Sequence, residues 1–426
     1  MKVLLTGGRL IDPLQGIDEH LELLVVDGKV AGIGRNIQTG KEDILVIDVT
    51  GCIITPGLID MHTHLREPGF EYRETIATGC AAAVTGGFTA VACMPNTKPV
   101  NDNCAVTEFI LGRAARAALA RVYPIAAITR KSEGTVLAEF QDLREAGTVG
   151  LSDDGRPVMD SALMRRALEY ANSLGMTVIS HCEDSSLTRG GAMNEGLAST
   201  ELGLAGIPAA AEEIMVARDI ILAEYTGTAV HIAHVSTAGA VRLVREAKLR
   251  GVAVTAETAP HYWSLTEDAC RSYDTNTKVN PPLRSAADVM AVKEGLRDGT
   301  IDAIASDHAP HASTEKEVEF DYALCGIVGL ETSVALSLAL VTEGILSLPQ
   351  LVAKMSARPA QILKIAGGTL REGEAADLTV IDPLRTWQVE PASFRSKGRN
   401  TPFKGWSLTG KAVLTMVGGR IVHREL

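Results

Sequence analysis

The sequence predicts an α/β fold: a (β/α)8 barrel with a small β-sandwich domain formed by both chain ends. Three observations carry this reading. Apolar strand patterns end near His64, Met94, Ile128, Asp154, His181, His234, Glu257 and Asp307, eight in all, mostly separated by helical patterns. Residues 1–55 alternate in the manner of β-strands, and the stretch 368–426 does the same. The 426-residue length leaves room for a barrel of roughly 250 residues or more, here placed at 56–367, beside one small domain.

At the N-terminal end, Asp27-Gly28 between LELLVV and KVAGIG is a hairpin signal. At the C-terminal end, ADLTVIDP and WSLTGKAVLTMVGGRIV read as further strands with a Gly-Gly turn. Within the barrel, one helix is predicted to run from Ser161 through Leu163, Ala167, Leu168 and Ala171 to Gly175. A second starts after Ser236-Thr237, turns Ala240, Leu243, Val244 and Ala247 to one face, and stops at Gly251.

Composition narrows the function classes. The formal net charge is −11, with no basic run, which argues against nucleic-acid or anionic-membrane partners. At 46% hydrophobic and 22% charged the chain is that of a soluble globular protein. No apolar stretch is long enough to span a membrane, and the N-terminus turns polar too soon for a signal peptide. Seven cysteines with no C-x-x-C pair read as reduced thiols of a cytoplasmic protein, with Cys93 and Cys182 as core residues.

The chemistry is carried by histidines. Eight of the ten lie between positions 62 and 311. His62 and His64 in DMHTHLREPG are two apart, so on a strand both point to one side and can grip a divalent metal. Alone, the pair is equally consistent with an exposed edge. The remaining pattern decides: His181 ends GMTVISH, His234 ends TAVHIAH and Asp307 ends IDAIASD, all at the C-terminal ends of apolar strands, where barrel enzymes keep their sites. His231, three residues before His234, falls on the opposite face of an extended strand and reads as a satisfied buried histidine.

Four histidines exceed the need of one catalytic metal, and two metals require a bridging anion. The pair Asp153-Asp154 ends the fourth strand; we read Asp154 as the ligand and Asp153 as its support, against the alternative of an acidic turn. At the same rim, Arg66 suits a substrate carboxylate in a bidentate fork, and Asn96 and Asn280 carry amides that pair with an amide-bearing ring. Of His308 and His311 in SDHAPH, one binds substrate and the other packs. No Gly-rich phosphate loop stands between a strand and a helix, and Cys182 adjoins a ligand histidine, which disfavours a thiol nucleophile. What remains is a metal-bound hydroxide attacking a carbonyl, with Asp307 taking the water's proton and passing it to the leaving nitrogen.

In their order, DMHTHLREPG, CMPNT, SDDG, SHCED, HVSTAGA, ETAPHY, KVNPPLR, SDHAPH and GIVGLET resemble the amidohydrolase superfamily and, within it, the long bacterial dihydroorotases, over essentially the whole chain. The resemblance implies a hydrolase of a cyclic amide C–N bond. It reversibly interconverts N-carbamoyl-L-aspartate and (S)-dihydroorotate in de novo pyrimidine biosynthesis, with Asp307 as acid/base. It further implies two Zn2+ ions per subunit: His62, His64 and Asp307 on one, His181 and His234 on the other, Asp154 between. His64, Arg66, Asn96 and His311 would hold the substrate, Asn280 its ring amide. The related hydantoinases, dihydropyrimidinases and allantoinases bridge their metals with a carboxylated lysine at the end of the fourth strand; here no lysine lies between Lys131 and Lys248. One position departs from the family. The loop before GIVGLET commonly reads Phe-Gly but is Cys325-Gly326 here, a change that a backbone contact to substrate tolerates. The charged segment from Ala312 to Leu324 is read as a mobile loop near the mouth. The resemblance also implies a homodimer and association with aspartate carbamoyltransferase. A scaffold that has lost its ligands is disfavoured because all six ligand positions are filled.

Overall fold

The computed structural model describes residues 2–38 and 44–426. Its centre is an eight-stranded parallel sheet. The strands are β1 (Leu58–Thr63), β2 (Phe88–Cys93), β3 (Arg121–Ala126), β4 (Gly150–Leu151), β5 (Thr177–Ser180), β6 (Val230–Ile232), β7 (Val254–Thr258) and β8 (Ala303–Ile304). Each pairs with its neighbour in chain order. The ring closes between its first and last strands through a single parallel bridge, Thr63 to His308, and the His64 N–H donates to the His308 carbonyl at 2.8 Å. Asp60, fully buried, reinforces the seam by accepting from the backbone N–H of both His62 and Ser306, each at 3.1 Å.

The ladders stop short of the residues that matter. β4 ends at Leu151, β6 at Ile232 and β8 at Ile304, so Asp154, His234 and Asp307 stand on the first residues of the loops beyond. His234 and Asp307 have φ of 35° and 49°, and Arg66 follows β1 with φ 62°. Left-handed backbone at non-glycine residues is uncommon and collects at functional sites. It also replaces the parity argument used for His231 and His234. His231 is within β6, buried, with Nδ1 2.8 Å from Thr255 Oγ1, whereas His234 lies past the strand, where two-residue alternation no longer applies.

Two barrel helices show how local sequence sets the frame. α1 (Ser161–Ser173) is capped by Asp160, whose carboxylate accepts from the N–H of Ala162 and Leu163. Its buried face is Met164, Ala167, Leu168 and Ala171; Leu163, predicted on that face, is half-buried at its margin. α2 (Ala238–Leu249) is capped by Thr237, buries Ala240, Val241, Val244 and Ala247, and leaves Leu243 half-buried.

The chain ends build two further sheets. Lys29–Gly34, Glu22–Val26, Lys2–Thr6 and Leu45–Asp48 form one of four strands. Arg420–Arg424, Ser407–Val417, Leu378–Gln388, Ile53–Pro56, Arg9–Asp12 and Ile17–His20 form one of six. Leu5, Leu10, Leu23, Ile47, Ile54, Leu378, Leu414 and Met416 pack in the cluster these sheets share. Asp27 and Gly28, with φ of 48° and 82°, make the two-residue turn between Glu22–Val26 and Lys29–Gly34; positive φ at both central positions is what a type I′ hairpin needs. Between the last long strands, Phe394 and Phe403 leave the sheets and pack against Val279, Leu283, Ile327 and Val328. Asn400 there donates through Nδ2 to the carbonyls of Ala309 (2.9 Å) and Gly326 (3.0 Å) and accepts from the His311 N–H (3.0 Å). The C-terminal part of the chain thus fixes a loop at the barrel mouth. Among the described residues no helix is long and apolar enough to cross a membrane.

Removing the Asp60 carboxylate leaves the Ser306 N–H buried without its partner, a cost of about 1–3 kcal/mol. Asp60→Ala is therefore expected to lower the urea midpoint of unfolding, and an unchanged midpoint would show that the bridge alone holds the seam.

Candidate active site

At the C-terminal mouth of the barrel, one carboxylate sits among four imidazoles. Asp154 Oδ1 is 3.4 Å from His62 Nε2, 3.5 Å from His181 Nδ1 and 3.7 Å from His234 Nε2, and its Oδ2 is 3.6 Å from His64 Nε2. Asp307 approaches the first pair, its Oδ1 being 3.2 Å from His64 Nε2 and 3.6 Å from His62 Nε2. All six side chains are buried.

The neighbours set which nitrogen of each ring faces the cluster. His62 Nδ1 is 2.7 Å from Glu257 Oε1 and His181 Nε2 is 2.8 Å from Glu183 Oε2. Burial opposes ionisation of both acids, yet their histidine partners lower each to about 2. Ionised carboxylates only accept, so these ring nitrogens carry the protons and His62 Nε2 and His181 Nδ1 turn lone pairs inward. Asn96 does the same for His64. Its Nδ2 donates to Asp154 Oδ2 at 3.2 Å, which leaves Oδ1 to accept from His64 Nδ1 at 2.9 Å.

This arrangement fits a metal. His62 Nε2 is buried without a hydrogen-bond partner, and His181 Nδ1 faces His234 Nε2 at 2.8 Å. The donor atoms of His62, His64 and Asp154 lie within 4.8 Å of one another, as do those of Asp154, His181 and His234. Imidazole and carboxylate donors suit a borderline divalent cation. Without one the cluster draws protons instead. Burial disfavours charge on His62 and His181, but Asp154 and the acids behind the rings raise His62 well above the usual histidine range and His181 to about 10. Asp154 is held well below the carboxylate range, where the histidines outweigh its burial.

The adjoining cavity, of about 420 Å3, is lined among others by Arg66, Asn96, Asn280, His311, Cys325 and Gly326. Arg66 is buried; its Nε donates to Pro310 O at 3.1 Å and its Nη2 is 3.3 Å from His311 Nε2. Burial and nearby Arg73 lower it to about 10, so it remains a cation near neutral pH. His311 Nε2 also lies 2.8 Å from the Cys325 carbonyl. His308, by contrast, packs away from the cavity, with Nε2 3.3 Å from Glu74 Oε2 and Nδ1 accepting from the Gly329 N–H at 3.2 Å. The Ala312–Leu324 segment is at the mouth, with anchors the sequence did not reveal: Glu315 accepts from Tyr72 and Arg73, both at 2.9 Å, and Lys316 Nζ donates to Leu324 O at 2.7 Å.

Comparison with known proteins places this geometry. A dihydro-orotase-like family model matches residues 51–240, and an amidohydrolase family model matches 208–423. The chain is 61% identical over 425 residues to a dihydroorotase of Syntrophus aciditrophicus and 58% identical over 427 residues to one of Geobacter metallireducens, each match covering 100% of both chains. The chain belongs to the dihydroorotase family. Among solved structures it is similar to an L-hydantoinase (dihydropyrimidinase) from Arthrobacter aurescens, with a TM-score of 0.89 and 28% identity over 99% of this chain and 96% of that one. A dihydropyrimidinase from Brevibacillus agri follows at 0.86 and 25%, over 100% and 95%.

As a dihydroorotase-family member the chain is a hydrolase of cyclic amide bonds, and the histidine–aspartate clusters supply it with a metal cofactor site. Sequence reasoning passed over the groups behind the ligands. Glu257 was noted only as a strand end, and Glu183 not at all, although both lie directly on a ligand histidine. The SHCED string contained the signal for Glu183, since an acid two residues past a ligand can turn back onto it. Asp153, read from the sequence as the support of Asp154, accepts from the Thr129 backbone N–H at 3.0 Å and from its hydroxyl, and burial raises it to about 6.

Because Asp154 serves both donor sets, Asp154→Ala is expected to lower bound metal by more than His181→Ala does. Elemental analysis of the two purified variants against wild type reads this, and equal retention of metal would remove Asp154 from the shared position.

Proposed function

We propose that this chain catalyses the reversible interconversion of N-carbamoyl-L-aspartate and (S)-dihydroorotate, with two zinc ions held by His62, His64 and Asp307 and by His181 and His234, and with Asp154 between them. The observation that carries the substrate reading is Arg66. It is a buried cation facing the cavity, and among the described residues no carboxylate pairs with it. A buried guanidinium without an anion is costly, and a substrate carboxylate in its fork removes that cost. Hydantoin, dihydrouracil and allantoin carry no such carboxylate; dihydroorotate does.

A divalent metal in this donor set supplies Lewis acidity to a carbonyl and lowers the pKa of a water. The protein supplies the rest. Arg66, with His311 beside it, orients the ring by its carboxylate. Asn280 donates through Nδ2 to Glu183 Oε2 at 2.7 Å, which leaves its carbonyl oxygen for a ring N–H. Asn96 holds His64 and Asp154 in register, and Cys325 and Gly326 line the same cavity. In ring opening, Asp307 accepts the proton of the attacking water and delivers it to the departing ring nitrogen as the C–N bond breaks. In closure, it takes a proton from the carbamoyl nitrogen and passes it to the departing carboxylate oxygen, which leaves as water with a second proton drawn from solvent. The barrel at 56–367 carries this chemistry, with 1–55 and 368–426 as the small domain. The family resemblance supports a cytoplasmic homodimer and association with aspartate carbamoyltransferase, both readable by gel filtration with and without that partner.

Ring opening followed in the ultraviolet on zinc-loaded protein tests the assignment, with hydantoin, dihydrouracil and allantoin in parallel. Turnover of dihydroorotate alone is expected; preference for a ring without the carboxylate would overturn the role of Arg66. Asp307→Asn is expected to lower kcat by about 10²–10⁴-fold. Arg66→Lys, which loses the fork, is expected to raise the KM for dihydroorotate about tenfold, the worth of one charge-assisted hydrogen bond. An unchanged KM would place the carboxylate elsewhere.

A further inference from the structure

Three arginines line the cavity, Arg66, Arg73 and Arg156. They are not equivalent. Arg73 is neutralised by Glu315, with Nη2 at 2.5 Å and Nε at 2.9 Å from the same Oε1. Arg66 is buried and assigned above to the carboxylate that both substrates share. Arg156 follows Asp154 by two residues on the same loop, held by its backbone N–H donating to Asp153 O at 2.9 Å. Its side chain is exposed at the mouth and makes no ion pair or hydrogen bond among the described residues. In a protein of net charge −11, whose cavity already contains the carboxylates of Asp154 and Asp307, an unpaired cation at the rim is a local reversal of sign.

The two substrates differ by one charge. N-carbamoyl-L-aspartate carries two carboxylates. Ring closure turns one of them into a ring carbonyl, consumes a proton and releases water, so dihydroorotate carries one. The carboxylate that disappears is the reacting one, and it must lie next to the histidine–aspartate cluster that Asp154 centres. Arg156 lies at the cavity's rim on that loop. We infer that Arg156 is a specificity-determining residue that pairs with the carboxylate present only in the open-chain substrate and so sets the relative affinity for the two substrates. This rests on the functional reading given above.

A catalyst cannot change the equilibrium constant, so any variant must change kcat/KM by the same factor in both directions. The signature of Arg156 therefore lies in the individual KM values. For full-length, zinc-loaded Arg156→Gln, the KM for N-carbamoyl-L-aspartate is expected to rise about five- to tenfold at low ionic strength, as for a partly exposed charge pair. The KM for dihydroorotate is expected to stay within about twofold of wild type, since that substrate lacks the second charge. Added salt should raise the open-chain KM of wild type and leave that of R156Q nearly flat. Arg156→Lys, which keeps the charge, should recover most of the loss. Metal content and thermal unfolding of each variant are measured alongside, so that a folding defect is not mistaken for lost pairing. KM values that move together for both substrates, or not at all, in a variant with wild-type metal content would overturn this inference alone. Failure of the wild-type enzyme to turn over either substrate would overturn the functional reading and this inference with it.

Discussion

The site depends on one constraint: a buried carboxylate, Asp154, placed within 3.4–3.7 Å of ring nitrogens from four histidines. A charge so far from water is tolerated only when it is compensated. Three of the four rings are held from behind, His62 by Glu257, His64 by Asn96 and His181 by Glu183. Those outer acceptors also fix the tautomers. Which nitrogen of each of these rings faces inward is therefore a property of the protein before any cation binds.

That constraint explains why the barrel closes as it does. His62 and His64 arrive on the first strand and Asp307 follows the last, so the ligand set straddles the seam of the ring. The seam has little regular pairing, and it is held by Asp60, by the His64–His308 backbone bond and by the bridge at Thr63. His308 in turn contacts Glu74, which accepts from the hydroxyl of Ser396 and the backbone N–H of Lys397. A segment near the C-terminal end of the chain thus supports the residue next to Asp307, and Asn400 pins the adjoining loop.

Much of this was legible in the sequence because strand ends leave a strong signature. Short runs such as GMTVISH and IDAIASD pair apolar residues with a terminal ligand type, and eight of them in order leave few topologies. The structure places all eight strands in one ring, with His62 inside β1 and the other positions read as ligands just past the strand ends. The hairpin at Asp27-Gly28 and the cap at Thr237 were equally readable, since both depend on residues adjacent in the chain. Helix faces were less so: Leu163 and Leu243 have the right spacing yet sit at the margin, because the neighbouring helices decide which side is covered. The Ala312–Leu324 segment has no periodicity to read; its anchors are Tyr72, Arg73 and Lys278, far away in sequence.

The sequence by itself determined the fold class, the order of the strands and the residue types at their ends, because those are set by local periodicity and by motifs of a few residues. Only the tertiary structure decided which nitrogen of each histidine faces inward, that His308 packs while His311 reaches the cavity, and that Arg73 is paired while Arg66 and Arg156 are not. Each of those depends on a partner brought from a distant part of the chain. Hydrogen-bond direction and charge compensation are pairwise and act over a few ångströms, so they have no counterpart in the spacing of residues along one strand.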